Sequence, residues 1–276
     1  MRDIGHREVI GTDWKGKTMK QGVFYGIGVG PGDPELMTLK AGNTIRECDV
    51  LALAVSDSGL KEVIYEEEGT VSADPSYLEK CVAYQIALQV IPEIVHKAKL
   101  YLPMPMIKDK QQLKRIHDLC ADMTEEVLRE GKSIACITLG DPSIYSTCLY
   151  VHKRLKEKEC STGLIPGIPS FCAAAARLDI GLAENREELH IIPASYGVEE
   201  SFALPGTKIL MKAGKKMPYV KQAVAEKSLE VKAVENCGLP GEKVYCNAEE
   251  IPDEASYYSL IIIRETTMPL SSKGPH

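Results

Sequence analysis

Val23-Phe24-Tyr25-Gly26-Ile27-Gly28-Val29-Gly30-Pro31-Gly32-Asp33-Pro34 decides how the rest of the chain is read. FYGIGVG is apolar and strand-sized, GPGD is turn chemistry, and PELMTLKAGNTIREC carries apolar residues at 36, 39, 45 and 48, a helical spacing. The result is a strand, a turn and a helix. The same alternation continues outward. DVLALAV (49–55) predicts a buried strand, and KEVIYEEEGTVSADPS (61–76), within an acidic stretch at 60–80, predicts a solvent-exposed surface insertion. YLEKCVAYQIALQVIPEIVHKA (77–98) predicts one long helical segment, and LYLPMPM (100–106) a third strand that its prolines confine to an edge or shorten. KQQLKRIHDLCADMTEEVLREG (110–131) predicts an amphipathic helix with its apolar stripe at 113, 116, 119, 123, 127 and 128, ended by Gly131. SIACITLG (133–140) and STGLIPG (161–167) supply two further strands, with a helix around SIYSTCLYVHKRLKEK between them.

Beyond this point the pattern changes. HIIPAS, TKILMKA, LEVKAVE, EKVYCNA and YYSLIIIR give five more strand candidates, with helical material mainly around MPYVKQAVAEK. An α/β protein of two lobes follows, joined near residues 184–189: an extension over 1–21, a first domain over 22–185 and a second over 186–270. The expected sheets are mainly parallel in the first lobe and mixed in the second, with a ligand cleft between the lobes.

Composition narrows the function. At 276 residues, 44% hydrophobic and 26% charged, the chain reads as neither disordered nor membrane-spanning. Its longest apolar runs, LALAV and LIII, fall far short of the ~20 residues of a membrane helix. The N-terminal residues carry no unbroken apolar stretch, so the expected location is the cytosol. A net charge of −6 disfavours nucleic acid as a partner. Nine cysteines, none in C-x-x-C spacing and several inside apolar runs, read as reduced thiols rather than a disulfide framework or a zinc site, and no metal site is expected.

Three glycine–proline turns carry the chemistry: Gly26 to Pro34, Gly140-Asp141-Pro142-Ser143 and Pro166-Gly167-Ile168-Pro169-Ser170. Each follows a predicted strand, and in a parallel sheet such turns share the carboxyl edge where ligands bind. The dinucleotide fingerprint G-x-G-x-x-G fails, because the sixth position is Pro31 counted from Gly26 and Asp33 counted from Gly28. Asp33 and Asp141 each precede a proline in the arrangement that caps a helix and occupies its amide donors. Those donors are what a phosphate would need, so the turns suit a ligand with hydroxyls, an amino group or positive charge.

GVGPGDPELMTLKA, TLGDPSIYST, IPGIPSFCAAAA and ILMKAG, in this order and at these separations, resemble the tetrapyrrole methylase family of S-adenosylmethionine-dependent methyltransferases. LPMPMIKDKQQLKR, LGDPSIYST and YYSLIIIR resemble its precorrin-2 or cobalt-factor II carbon-20 subgroup. The resemblance implies a homodimer of two-lobed α/β chains, with S-adenosylmethionine in the cleft and S-adenosylhomocysteine as product. Carried over by position, it implies that Pro31, Gly140, Asp141, Ser143, Ile144, Ser170, Phe171 and Met211 hold the cofactor, with Cys246 and Asn247 as a looser match. The substrate class is rich in carboxylates, which makes Lys108, Lys110 and Lys212 the candidates for its rim. No catalytic residue is assigned, since a sulfonium methyl is already electrophilic and needs placement above all. The expected reaction is methylation of carbon 20 of cobalt-factor II or cobalt-precorrin-2. The alternatives are metal-free precorrin-2, another carbon of the macrocycle, or a tetrapyrrole carrier without turnover.

Overall fold

The computed structural model describes residues 10–12, 18–71, 73–194, 198–213 and 216–265, with side chains from Gln21 onward. They form two compact units, one ending at Pro169 and one beginning at Ser170.

In the first unit, β1 (Ile10–Thr12) and β2 (Thr18–Lys20) pair antiparallel within the N-terminal extension. The main sheet contains β3 (Phe24–Gly28), β4 (Val50–Val55), β5 (Ile64–Glu66), β6 (Ala98–Pro103), β7 (Ile134–Thr138) and β8 (Thr162–Ile165), ordered β5-β6-β4-β7-β3-β8. All its pairings are parallel except β5 with β6. Every residue of β6 and all but one of β4 are buried, as a parallel sheet covered on both faces requires.

α1 (Leu39–Glu47) starts at Thr38, whose hydroxyl accepts from Ala41 N–H at 3.1 Å, and it buries Ala41 and Ile45 while Leu39 stands exposed. The segment expected as one long helix breaks into α2 (Ser76–Glu79), α3 (Val82–Val90) and a 3₁₀ turn over Pro92–His96. Pro92 supplies no N–H and pushes Ile91 out of helical geometry, to φ −135°. α4 (Lys110–Arg129) is capped by Asp109, which accepts from Gln111 N–H at 2.9 Å and Gln112 N–H at 3.0 Å. Its buried stripe runs through His117, Cys120, Ala121, Thr124, Val127 and Leu128 and leaves the expected Leu119 in solvent. Small side chains at 120 and 121 let the helix lie close to β6. Gly131, at φ +85°, follows the helix as expected. α5 (Cys148–Glu157) packs beside α4.

The acidic stretch departs furthest from expectation. Part of it is β5, which covers β6 and removes that strand from the sheet edge. Glu66 is 4% exposed, lies 3.6 Å from the buried Lys99 ammonium, and accepts from Ala73 N–H at 3.1 Å and the Tyr101 hydroxyl at 3.4 Å. Burial, followed by the Glu66 charge, raises the Tyr101 phenol well above its ordinary range. Lys99 also donates to the carbonyls of Val95 at 2.9 Å and Lys97 at 3.0 Å. A charged residue in a strand thus marks an internal pair rather than a solvated loop.

The second unit opens with α6 (Ser170–Arg177) and contains α7 (Met217–Glu226) and the strands β9 (Leu189–Pro193), β10 (Thr207–Met211), β11 (Leu229–Glu235), β12 (Lys243–Tyr245) and β13 (Ser259–Glu265). The sheet order is β12-β11-β13-β10-β9, parallel only between β9 and β10. α6 packs on β11 and β13 through a face that buries Phe171, Ala173, Ala174 and Ala175. The division therefore falls before α6, upstream of the expected 184–189 junction. All nine cysteines are free, and six of them are buried. Among the described residues no helix is long and apolar enough to cross a membrane.

Candidate functional site

The three glycine turns meet. They follow β3, β7 and β8, neighbouring strands of one parallel sheet, and leave its carboxyl edge side by side. Val29 N–H donates to Thr138 O at 3.0 Å, and a bridge joins Gly30 to Gly140, whose N–H donates to Gly30 O at 2.7 Å. A Cβ on Gly28 would lie 2.3 Å from Gly140 O and 2.7 Å from Gly167 N, and one on Gly167 would lie 2.1 Å from Gly140 O. Glycine is needed because three backbones occupy the space a side chain would take.

Side chains then lock the turns. Asp141 Oδ1 accepts from Ser143 N–H at 2.8 Å and from the Ser143 hydroxyl, while Oδ2 accepts from Gly167 N–H at 3.0 Å. The Thr38 hydroxyl donates to Pro166 O at 3.4 Å, tying the first turn's helix to the third turn. Asp33 caps the 3₁₀ turn Pro34–Leu36 through Glu35 N–H at 2.9 Å, as expected. Asp141 does not cap a helix. Residues 142–146 form a turn, and Ser146 instead accepts from Cys148 N–H at 3.2 Å at the start of α5. The Asp141 carboxylate closes the second turn on itself and ties it to the third, at a place where no helix begins.

The edge is chemically distinctive. No lysine or arginine occurs in the three turns, which carry Asp33 and Asp141. Pro31 and Gly140 are buried, Ile144 is half-buried, and Ser143 and Tyr145 are exposed. This backbone-lined, acidic edge matches a polar, non-phosphorylated ligand with positive charge, and on that donor set a sulfonium nucleoside fits it. Lys108 and Lys110 are exposed in the segment after β6, on the same carboxyl edge but beyond β4 from the second turn.

In the second unit, Ser170 and Phe171 open α6, and Met211 is half-buried at the carboxyl end of β10. Met211 pairs with Leu260, which pairs with Val234, so the end of β11 stands level with it. There Asn236 (φ +52°) and Gly238 (φ +73°) make a left-handed turn, held by Gly238 N–H donating to Glu242 at 2.8 Å and by the Arg177–Glu242 ion pair from α6. Sequence reading missed this turn, whose only signal was Asn-Cys-Gly after a strand. Cys246 and Asn247 do not join Met211. β12 runs antiparallel to β11, which carries them toward the opposite end of the sheet. There they line a cavity of about 270 Å³ with Ser228, Leu229 and Glu230, their polar atoms engaged with Glu250 at 2.8 and 2.7 Å.

Comparison with known proteins settles the family. The profile of Tetrapyrrole (Corrin/Porphyrin) Methylases matches residues 23–252. The chain belongs to the tetrapyrrole methylase family. It is 36% identical over 189 residues to a probable cobalt-precorrin-2 C(20)-methyltransferase of Methanocaldococcus jannaschii, covering 68% of this chain and 71% of that protein. It is 25% identical over 253 residues to the precorrin-2 C(20)-methyltransferase of Sinorhizobium sp., covering 88% and 95%. A cobalamin biosynthesis protein of Mycobacterium tuberculosis, CobIJ, is matched over 46% of its own length. Among solved structures, the Thermus thermophilus uroporphyrin-III C-methyltransferase complexed with S-adenosylhomocysteine shares the fold, with TM-score 0.58, 17% identity and coverage of 88% and 98%. Like the other tetrapyrrole methylases, this chain is a methyltransferase.

Proposed function

We propose that this tetrapyrrole methylase transfers a methyl group from S-adenosylmethionine to carbon 20 of cobalt-factor II or its reduced form, cobalt-precorrin-2, in corrin synthesis. The observation that carries the site is the convergence of Gly28, Gly140 and Gly167 beside Asp141 in three turns that contain no lysine or arginine. The substrate assignment draws on similarity to carbon-20 methyltransferases, among them the cobalt-precorrin-2 relative of Methanocaldococcus jannaschii at 36% identity. The macrocycle's metal is part of the substrate.

When bound, S-adenosylmethionine supplies a methyl group already activated by its sulfonium charge. The protein's share is placement. Backbone groups of Pro31, Gly140, Ser143 and Ile144 orient the donor from a rigid edge, and the Asp141 carboxylate favours its positive charge. The family resemblance adds Ser170, Phe171 and Met211 to the cofactor set, while Cys246 and Asn247, its looser match, lie toward the opposite end of the second unit's sheet from Met211. Lys108, Lys110 and Lys212 offer ammonium groups to the substrate's carboxylates. Well-oriented approach of two reactants is worth roughly 7–11 kcal/mol in favourable systems, enough to make ordering the dominant contribution. The protein works as a cytosolic homodimer, the location supported by its free thiols and the assembly by the family resemblance, and sedimentation would reveal a monomer if the assembly is wrong.

Anaerobic incubation with S-adenosylmethionine and either cobalt-factor II, oxidised or reduced, or precorrin-2 tests the reading. Mass spectrometry should find one added methyl on the cobalt-bearing macrocycle. Methylation of precorrin-2 alone would assign the metal-free substrate, and methylation of neither would end the substrate assignment.

A further inference from the structure

Seven non-glycine residues among those described take left-handed backbone. Glu159, Asp179 and Ser228 follow α5, α6 and α7, where helices commonly end that way, and Asn185 and Asn236 are asparagines, which tolerate it. Tyr145 and Lys212 have neither reason. Tyr145 lies in the second glycine turn already described. Lys212, at φ +60°, directly follows Met211 at the carboxyl end of β10. A long side chain held in a disfavoured conformation at a strand end is where functional strain is found.

The surroundings of Lys212 are equally unusual. In the same unit Lys208, Lys216, Lys221 and Lys232 each lie within 4.0 Å of a carboxylate, Lys227 donates to Phe202 O at 3.0 Å, and among the described residues Lys243 shares with Lys212 the lack of an ion pair. Lys212 has no ion pair among the described residues, and its ammonium sits over the Tyr257 ring, 5.3 Å from the centroid. Tyr257 is half-exposed and meets Tyr258 edge-on at 5.4 Å and 85°. The two tyrosines immediately precede β13, the strand that pairs with β10, so they and Lys212 share one end of the sheet. An aromatic face steadies an ammonium without neutralising it, leaving the full charge available to an incoming anion.

We propose that Tyr257 is a positioning residue that holds the Lys212 ammonium ready for a peripheral carboxylate of the tetrapyrrole, with Tyr258 fixing the ring's tilt. The proposal rests on the carbon-20 methylation reading and names the carboxylate contact within it.

Steady-state kinetics with the tetrapyrrole and S-adenosylmethionine varied separately test it. K212M should raise KM for the tetrapyrrole about ten- to a hundredfold, the loss expected for a charge-assisted hydrogen bond, with kcat and KM for S-adenosylmethionine within about twofold of the original. Y257L should raise the same KM about two- to fivefold, and Y257F, which keeps the aromatic face, should restore it. The decisive reading is the double variant. If Tyr257 acts through Lys212, Y257L adds nothing in a K212M background; multiplied effects would mean independent contacts and overturn the proposal. An unchanged tetrapyrrole KM in K212M, with turnover intact, would also overturn it while leaving the methylation reading in place. Absence of turnover by the unaltered protein would remove both. K232M controls for the lost charge, and if Y257L does not fold, K212M set against K212R carries the test.

Discussion

Gly167→Ala puts the convergence of the three turns to a quantitative test. The new Cβ would stand 2.1 Å from Gly140 O, 2.8 Å from Gly28 C and 2.9 Å from Gly28 Cα. All three are backbone atoms, of β3 and of the bridged second turn, so no side chain can swing aside, and the cost belongs at the upper end of the ~1–3 kcal/mol seen for overpacking. Relief requires the third turn to move away from Asp141, which sacrifices a charge-assisted hydrogen bond worth roughly 1.5–3 kcal/mol. Together these amount to about 4–6 kcal/mol, or about a thousand- to ten-thousandfold faster opening of the turn edge at ~1.4 kcal/mol per decade. Hydrogen exchange at the Val29, Gly30 and Gly140 amides, all bonded across the turns, reads that opening directly. Calorimetric titration with S-adenosylhomocysteine should show a loss of at least about tenfold in affinity. Gly69→Ala is the control: at φ +76° with nothing within 4 Å, it meets only the left-handed penalty of ~1–2 kcal/mol and should leave binding intact. If Gly167→Ala exchanged and bound like the original protein, the close approach of the three turns, and the site built on it, would be refuted.

Asp141→Asn leaves one oxygen for two loops, so affinity for S-adenosylhomocysteine should fall about tenfold as one charge-assisted bond is lost, and Asp141→Arg should abolish binding without unfolding the chain; unchanged titrations would remove Asp141 from the site. Glu66→Ala orphans the buried Lys99 ammonium and should destabilise the first unit by about 3 kcal/mol, the low end for a broken buried pair because two carbonyls still hold the lysine, whereas a Glu66→Leu, Lys99→Met double variant should recover most of it; denaturant unfolding compares the two. His117 has its pKa lowered from the ordinary 6.5 by burial, then by the Arg154 charge. The unfolded chain thus binds the proton more tightly, and the stability that neutral His117 contributes is present above pH 6.5 and lost as pH falls through the lower folded value. Unfolding free energy in His117→Phe should decline less steeply on acidification than in the original, and parallel curves would deny the contribution.

The turns were legible because glycine and proline impose backbone geometry wherever they occur, and their place after apolar runs put them on one edge. The unit boundary was not, since Phe171 and the alanines after it read as ordinary helix and only their packing on β11 and β13 assigns them to the second unit. The acidic stretch misled because Glu66 satisfies its charge on Lys99, thirty-three positions away and invisible to local pattern. Cys246 and Asn247 end away from Met211 because of strand direction, which composition does not encode. The helix stripe of α4 turned because Cys120, Ala121 and Thr124 bury more readily than their polarity suggests, where close packing favours small volume over the larger Leu119.

Methylation at carbon 20 is tested most directly by the position of the new carbon. Turnover of cobalt-factor II under anaerobic, reducing conditions with S-adenosylmethionine carrying a carbon-13 methyl group, followed by carbon-13 NMR of the demetallated product, locates the label. A single enriched methyl bonded to carbon 20 is the expected result. Label on any other carbon would keep the chain among the tetrapyrrole methylases and contradict the reaction proposed for it.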